Sequence, residues 1–423
     1  MPVLRSYHER MNRPTHDTAE LPPDGAGTPL EVLAVFTRLG LTSFGGPIAH
    51  LGYFHEEFVA RRRWMDERRF ADLVALCQFL PGPASSQVGI AVGHARAGVV
   101  GAFAAWLGFT LPSAIALIAF AWGVAAIGDV SDADWLRGLK IVAVAVVAHA
   151  VWGMATKLTP DRPRITMAVA ATILALAWPA SLGQVAIILV GGLVGWLLFR
   201  DASTPPPVSH AGGGIRRRVA ASLLVLFAAL LVILPIAREA TGDFNVAVAD
   251  SFYRAGSLVF GGGHVVLPLL QAEVVPPGWV DDETFIAGYG AAQAVPGPLF
   301  TFAAYLGAVA APGGFGIGLA LLALVAIFVP SFLLVMGALP FWDRLRSVRS
   351  VQAALMGVNA VVVGILLAAL YHPVWTSAIF TPLDFALALA AFTALAIWKW
   401  PAWLVVIVSA LTAAALGVIV PPL

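Results

Sequence analysis

Residues 36–47 read FTRLGLTSFGGP, and 216 residues later positions 252–263 read FYRAGSLVFGGG. Arg38 falls on Arg254, Gly40 on Gly256, and the step Phe44-Gly45-Gly46 on Phe260-Gly261-Gly262. The register then continues at an offset of 215. Trp64, Asp66, Phe70, Gln78 and the run Pro81-Gly82-Pro83 meet Trp279, Asp281, Phe285, Gln293 and Pro296-Gly297-Pro298. Further on, Pro112-Ser113 meets Pro330-Ser331, and a small-residue helix from Leu139 meets one from Leu355. An internal repeat has to be settled before any other reading, and this one makes the chain two copies of a single unit.

The composition around the repeat identifies its solvent. Of 423 residues, 59% are apolar and 12% are charged, against roughly 25% charged in a soluble domain; mean hydropathy is +0.86. Runs such as 99–127, 219–237 and 403–420 approach or exceed the ~20 residues that cross a bilayer core. The expected fold is an all-α polytopic membrane protein. Residues 1–29 carry Arg5, Arg10 and Arg13 with no apolar core or small-residue cleavage site, so no cleaved signal is expected. Cys77 is the sole cysteine, which excludes an intrachain disulfide and argues against structural zinc.

The reading divides the chain into a polar N-terminal segment 1–29, a first repeat 30–199, a linker 200–218 ending in Arg216-Arg217-Arg218, a connecting helix 219–237 and a second repeat 249–420. The apolar segments of the first repeat run near 31–52, 70–93, 98–126, 138–155, 165–179 and 183–199. Those of the second run near 249–270, 284–308, 315–339, 352–371, 383–399 and 402–420. An odd helix between two equal copies turns the second upside down.

Charge tests that inversion independently. The loop 53–69 contains Arg61, Arg62, Arg63, Arg68 and Arg69, whereas its repeat partner 271–284 has no Lys or Arg and carries Glu273, Asp281, Asp282 and Glu283. Likewise 127–136 carries Asp129, Asp132 and Asp134, and its equivalent 341–351 carries Arg344, Arg346 and Arg349. The positive-inside rule places the Arg-rich member of each pair in the cytoplasm. With the N-terminus and the Arg61 loop both inside, segments 31–52 and 70–93 each cross an even number of times. They are expected to be re-entrant or broken helices.

Inverted-repeat transporters place substrate near the midplane, where interrupted helices expose backbone groups, and lipid tolerates broken backbone only under cover of protein or water. The interruptions here are the FGG turns and the two PGP runs. Pro83 and Pro298 suit the first position of a new helix, and a helix N-terminus offers donors and positive dipole to an anion. Ser85, Ser86 and Thr301, with the amides of Gln78 and Gln293, are candidate donors, and Arg38 and Arg254 are candidate counter-charges. The competing readings are packing punctuation for the glycines, snorkelling for the arginines and bonds to carbonyls one turn back for the hydroxyls. His50 and His264 follow the FGG turns and are candidates for proton coupling, against an ordinary polar helix end. Lys140, His149 and Asn359 lie in apolar helices, where such groups are functional candidates. Trp64, Trp279, Trp398 and Trp400 read as interface anchors. The run Gly261-Gly262-Gly263 lacks the context of a nucleotide loop and no Walker lysine follows, so ATP-driven transport and soluble-enzyme chemistry have no support.

The FGGP turn at Phe44–Pro47, the variant FGGGH at Phe260–His264, and QxxPGP at Gln78–Pro83 and Gln293–Pro298 resemble the chromate ion transporter family in its long, two-domain form, over roughly residues 30–420. The resemblance implies chromate efflux across the bacterial inner membrane and chromate resistance, with sulfate as a structural mimic and proton coupling often suggested. One departure is Gly263 where the first half has Pro47. The expectation is a secondary transporter of tetrahedral oxyanions with no cofactor. Its partners are a small oxyanion and the lipid bilayer, not nucleic acid, and a homodimer is the candidate assembly. An importer or exchanger of sulfate or another anion, and an anion channel, are the alternatives.

Overall fold

The computed structural model describes residues 27–127, 134–200, 215–345 and 348–419, and every regular element among them is helical. The expectations placed on residues 1–26, on Asp129, Asp132 and Arg346 and on most of the 200–218 linker lie outside the described residues. In chain order the helices are α1 (Pro29–Thr42), α2 (Gly46–His55), α3 (Glu67–Phe79), α4 (Ala84–Ile127), α5 (Asp134–Leu158), α6 (Arg162–Ala177), α7 (Ser181–Leu198) and α8 (Arg217–Thr241). They continue with α9 (Phe244–Leu258), α10 (Val266–Val274), α11 (Asp282–Ala294), α12 (Phe302–Val309), α13 (Ile317–Ala338), α14 (Arg349–Ala369), α15 (Pro382–Ala396) and α16 (Ala402–Ile419).

The repeat-matched residues start matched helices. Asp66 caps α3 by accepting from the Arg69 amide at 2.7 Å, and its counterpart Asp281 caps α11 by accepting from the Thr284 amide at 2.8 Å; each satisfies one of the N–H groups a helix start leaves unpaired. Helix α1 has 14 residues, about 21 Å at 1.5 Å per residue, short of the ~30 Å hydrocarbon core. It stops at Ser43, and α2 sets out again from Gly45. Helix α4 is two helices joined at Ala97 and Gly98, whose backbone leaves the helical region.

Side-chain contacts show where these short helices return. Arg62, beyond α2, lies 3.8 Å from Glu31 at the start of α1, and Arg96, at the end of the first part of α4, lies 3.2 Å from the same Glu31. The chain therefore enters at α1, turns at residues 43–45, leaves after α2, and repeats the excursion through α3 and the first part of α4 from the same face. The second half does likewise: Phe244 at the start of α9 packs on Trp279 beyond α10, and Tyr305 in α12 bonds to the carbonyl of Thr284 at the start of α11. Both segments of each half are re-entrant hairpins.

The crossing helices establish the inversion. Phe103 stacks on Phe332 at 4.7 Å and Trp106 meets Phe328 at 5.8 Å, so numbers rise along α4 as they fall along α13. These helices are repeat equivalents, and they run antiparallel. Around them the halves exchange closing elements: α15 and α16 pack on α5, while α6 and α7 pack on α14. Small residues make close crossings, as where a Cβ at Gly195 of α7 would meet Gly357 of α14 at 2.6 Å, the geometry by which membrane helices gain dispersion contacts. Six described helices are long and apolar enough to span, counting α4 as one. Helix α8 stands apart, with 6% of its most apolar window buried; its flank is left to lipid.

Pro83 and Pro298 sit one position before the expected place. The Pro83 carbonyl already accepts the Gln87 amide at 2.9 Å, making Pro83 the cap, and Pro298 caps a 3-10 turn, Leu299–Thr301. Pro298 keeps extended backbone at the turn, and neither proline opens the helix.

Candidate functional site

The hairpin tips are built on glycines because the backbone there enters conformations that side chains resist. Gly45 and Gly46 have φ of 104° and 79°, and Gly261 and Gly262 have 75° and 151°. Gly82 and Gly297 have 120° and 95°. Only glycine occupies this region without penalty.

The tips of one half bond to the tips of the other. The Gly82 amide donates to the Val259 carbonyl at 2.7 Å, and the Gly297 amide donates to the Ser43 carbonyl at 2.9 Å. Ser43 and Val259 are repeat equivalents, as are Gly82 and Gly297, so a two-fold relation runs between these bonds. The matched serines obey it too: a Cβ at Gly82 would meet Ser331 Oγ at 3.0 Å, and one at Gly297 would meet Ser113 Oγ at 2.9 Å. The PGP turns thus hold the tips together with their own N–H groups already bonded.

One open space lies at the FGG turns. A cavity of about 250 Å³ is bounded by Gly45 and Pro47 of one turn, Gly261, Gly262, Gly263 and His264 of the other, and His149, Met154 and Lys157 of α5; a single water needs roughly 10–15 Å³. Its walls carry three nitrogen bases and no carboxylate. His264 Nδ1 lies 2.8 Å from the Tyr289 hydroxyl, and a Cβ at Gly46 would stand 4.0 Å from its Nε2. Lys157 is exposed at the rim. Asn359 Oδ1 lies 3.6 Å from a Cβ built at Gly261. The N-terminus of α2 begins at this wall, giving unpaired amides that favour negative charge.

The remaining sequence candidates fall into distinct settings. Phe44 packs on Trp403 at 5.7 Å. His50 is buried: its Nε2 lies 3.2 Å from the Ser43 carbonyl and its Nδ1 3.3 Å from Ser85 Oγ. A carbonyl only accepts, so Nε2 carries the proton in that contact. Thr301 donates to the Pro298 carbonyl at 2.8 Å, the bond one turn back. Pro81 accepts from Gln87 Nε2 at 2.6 Å, while Pro296 completes the second PGP turn. Gln78 lies on an exposed face of α3, whereas Gln293 Nε2 is buried with no protein partner. Ser43, Ser86, Thr110 and Ser331 also keep buried hydroxyls without a protein partner among the described residues. Lys140 pairs with Glu283 at 3.1 Å.

Arg38 and Arg254 are not directed at the turns. Arg38 pairs with Glu57, and Arg254 pairs with Glu273 at 3.3 Å and with Asp250 at 2.5 Å. Their charges are met by carboxylates near the hairpin mouths. Glu57 and Glu273 are themselves 216 apart, the same offset as the arginines, and that spacing is the signal that identifies the pair. Lys157 carries no such signal, because it comes from α5 and the turn-lining face of α14 has no lysine.

The family model described as chromate transporter matches residues 30–196 and 246–417. It passes over 197–245, which holds α8. The chromate transport protein of Pseudomonas aeruginosa is 30% identical over 375 residues, 86% of each chain. That of Cupriavidus metallidurans is 24% identical over 339 residues, 79% of this chain and 80% of its own. A probable chromate transport protein of Synechococcus elongatus is 25% identical over 336 residues, 78% and 80%. No solved structure matches the chain.

Proposed function

Because this chain belongs to the chromate transporter family, we propose that it is a secondary transporter of tetrahedral oxyanions that exports chromate from the bacterial cytoplasm in exchange for protons, conferring resistance. The observation that carries the reading is the cavity between the two FGG turns, with His149, Lys157 and His264 on its walls and no carboxylate. A dianion gains there from an ammonium, from imidazole N–H groups and from the dipole at the start of α2. The substrate-facing set is Gly45, Gly46, Pro47, Gly261, Gly262, His149, Lys157 and His264.

The PGP turns, with Gln293 and the hydroxyls of Ser85, Ser86 and Thr301, frame the neighbouring tip contact and offer stations along the path. Arg38 and Arg254 act one shell further out by fixing the hairpin mouths through Glu57 and Glu273. Alternating access then takes the form of one half rocking on the other about the shared tips.

Sidedness supports export. The second part of α4 leaves the face on which the first-half hairpins open, and α5 brings the chain back to it. Lys157, near the end of α5, therefore stands on the face of the Arg61–Arg63 loop, the side that the positive-inside rule assigns to the cytoplasm.

Everted membrane vesicles test the proposal. An imposed proton gradient is expected to drive saturable chromate uptake that sulfate competes. Uptake indifferent to the gradient defeats coupled export, and flux that never saturates makes the protein a channel.

A further inference from the structure

The two hairpin mouths are equivalent in sequence but differ in charge balance. At the first, Glu57 receives Arg62 Nε at 2.5 Å, Arg61 at 3.1 Å and Arg38, so three guanidiniums meet one carboxylate. At the second, Asp250 occupies the place of Ala34, and Pro276-Pro277-Gly278 occupy that of Arg61 and Arg62. Two buried carboxylates there, Asp250 at 3% and Glu273 at 6% side-chain exposure, share Arg254. Arg238 from α8 reaches Asp250 at 3.4 Å and lies over the Trp279 ring.

We propose that Glu273 is the site that takes up the transported proton, from the face on which the second-half hairpins open. This rests on the transport reading above and deepens it. Among the described residues Glu273 pairs with Arg254 alone, whereas Asp250 holds both Arg254 and Arg238, so Glu273 is the weaker-held of two neighbouring anions. Two carboxylates in one buried site do not both ionise readily, and one of them gains proton affinity. The elements packed on α10 bring groups of both senses, Arg254 and the Ser251 and Ser181 hydroxyls favouring the anion and the Asp250 charge favouring the neutral acid. From α9 come Arg254, Asp250 and the Ser251 hydroxyl; from α7 come Ser181 and Gln184, the latter bonding to the Pro268 carbonyl. From α11 comes Asp282, 3.4 Å from Gln271; α14 contributes no charged side chain to this contact, and His372 beyond it borders the small cavity reached by Gln271.

The titration directions agree. Burial pushes the Glu273 carboxyl above the ordinary carboxylate range against the pull of Arg254 and of the Ser251 and Ser181 hydroxyls, and the Asp250 charge adds to the rise. At Glu57 burial acts in the same sense, but Arg62 and Arg38 hold the group below its ordinary value. The step itself is a single proton passing from water to the Glu273 carboxylate, giving the neutral acid. Arg254 is then left to Asp250 alone, which loosens the tie between α9 and α10 at the hairpin mouth.

Proteoliposomes carrying chromate inside and a pH-sensitive dye separate the outcomes. Glu273→Gln is expected to retain chromate–chromate exchange and to lose gradient-driven accumulation, with the accumulation ratio falling to unity. Asp250→Asn is expected to keep coupling but shift its midpoint to lower pH, because the neighbouring anion is gone. Dicyclohexylcarbodiimide, which reacts with protonated carboxyls in apolar surroundings, is expected to label Glu273 of the wild-type protein ahead of Glu57, increasingly as pH falls. Proton coupling intact in Glu273→Gln, or labelling of Glu57 ahead of Glu273, overturns the assignment. Absence of any chromate flux in the wild type is instead the failure of the transport reading, and the labelling result still decides the proton site.

Discussion

A dianion in a cavity of about 250 Å³ needs charge within contact distance, and Lys157 brings it an ammonium with three donors. A hydrogen bond to a charged group contributes about 1.5–3 kcal/mol, so Lys157→Ala is expected to weaken chromate binding roughly 10- to 150-fold while leaving folding unchanged, since the residue is exposed. Half-saturation for uptake measures this; an unchanged value removes Lys157 from the site. The glycines of the same wall answer to backbone sterics instead. At Gly262, φ is 151° with ψ 159°, a region held almost exclusively by glycine, where a side chain costs about 1–3 kcal/mol. Gly262→Ala is therefore expected to lower the melting temperature and abolish transport. Gly52, inside α2 with nothing within 4 Å of a built Cβ, supplies the contrast. Gly52→Ala is expected to be neutral or to stabilise by about 0.5–1 kcal/mol through helix propensity. Equal effects of the two substitutions in a thermal melt defeat the argument from φ.

Each hairpin is two short helices tied at the mouth, and the two ties differ in what remains when one ion is removed. Arg254→Ala leaves Asp250 with a long contact to Arg238 and leaves buried Glu273 with only hydroxyl donors. Breaking a buried pair in this way costs about 3–5 kcal/mol. Arg38 is 43% exposed, and Glu57 keeps Arg61 and Arg62 after Arg38→Ala, so that loss approaches the roughly 0–1 kcal/mol of a surface pair. The expected result is a much larger fall in thermal stability for Arg254→Ala than for Arg38→Ala in detergent-solubilised protein. The reverse order shows that the mouths are held by something other than these carboxylates. The arginines were legible in the repeat because a full charge in an apolar segment stands out. Their partners Glu57 and Glu273 stand at the same offset, but nothing in the linear sequence ties either acid to its arginine.

At the scale of the molecule, the repeat, the inversion and the re-entrant hairpins were all readable, because offset and loop charge are linear properties of the chain. Contacts between the halves were not. The bonds from Gly82 to Val259 and from Gly297 to Ser43 join positions with no mutual sequence signature, so the part these amides play in closing the tip contact was not legible. For the same reason nothing linear pointed to Lys157 as a neighbour of the FGG turns. The inversion makes one further prediction that depends on no single site. Cys77 is the only cysteine and is buried, so a cysteine placed on an exposed loop is labelled against a silent background. Arg68 and Pro277 are exposed at the mouths of the two halves. A membrane-impermeant maleimide is expected to label Pro277→Cys in intact cells and Arg68→Cys only in everted vesicles. The antiparallel contact of α4 with α13 requires opposite sidedness for this pair, and the positive-inside rule, applied to the five arginines of loop 53–69, predicts which mouth is cytoplasmic. Labelling of both from one side contradicts the inverted architecture itself. Opposite labelling with the sides exchanged keeps the architecture and reverses the direction in which the Lys157 rim loads its anion.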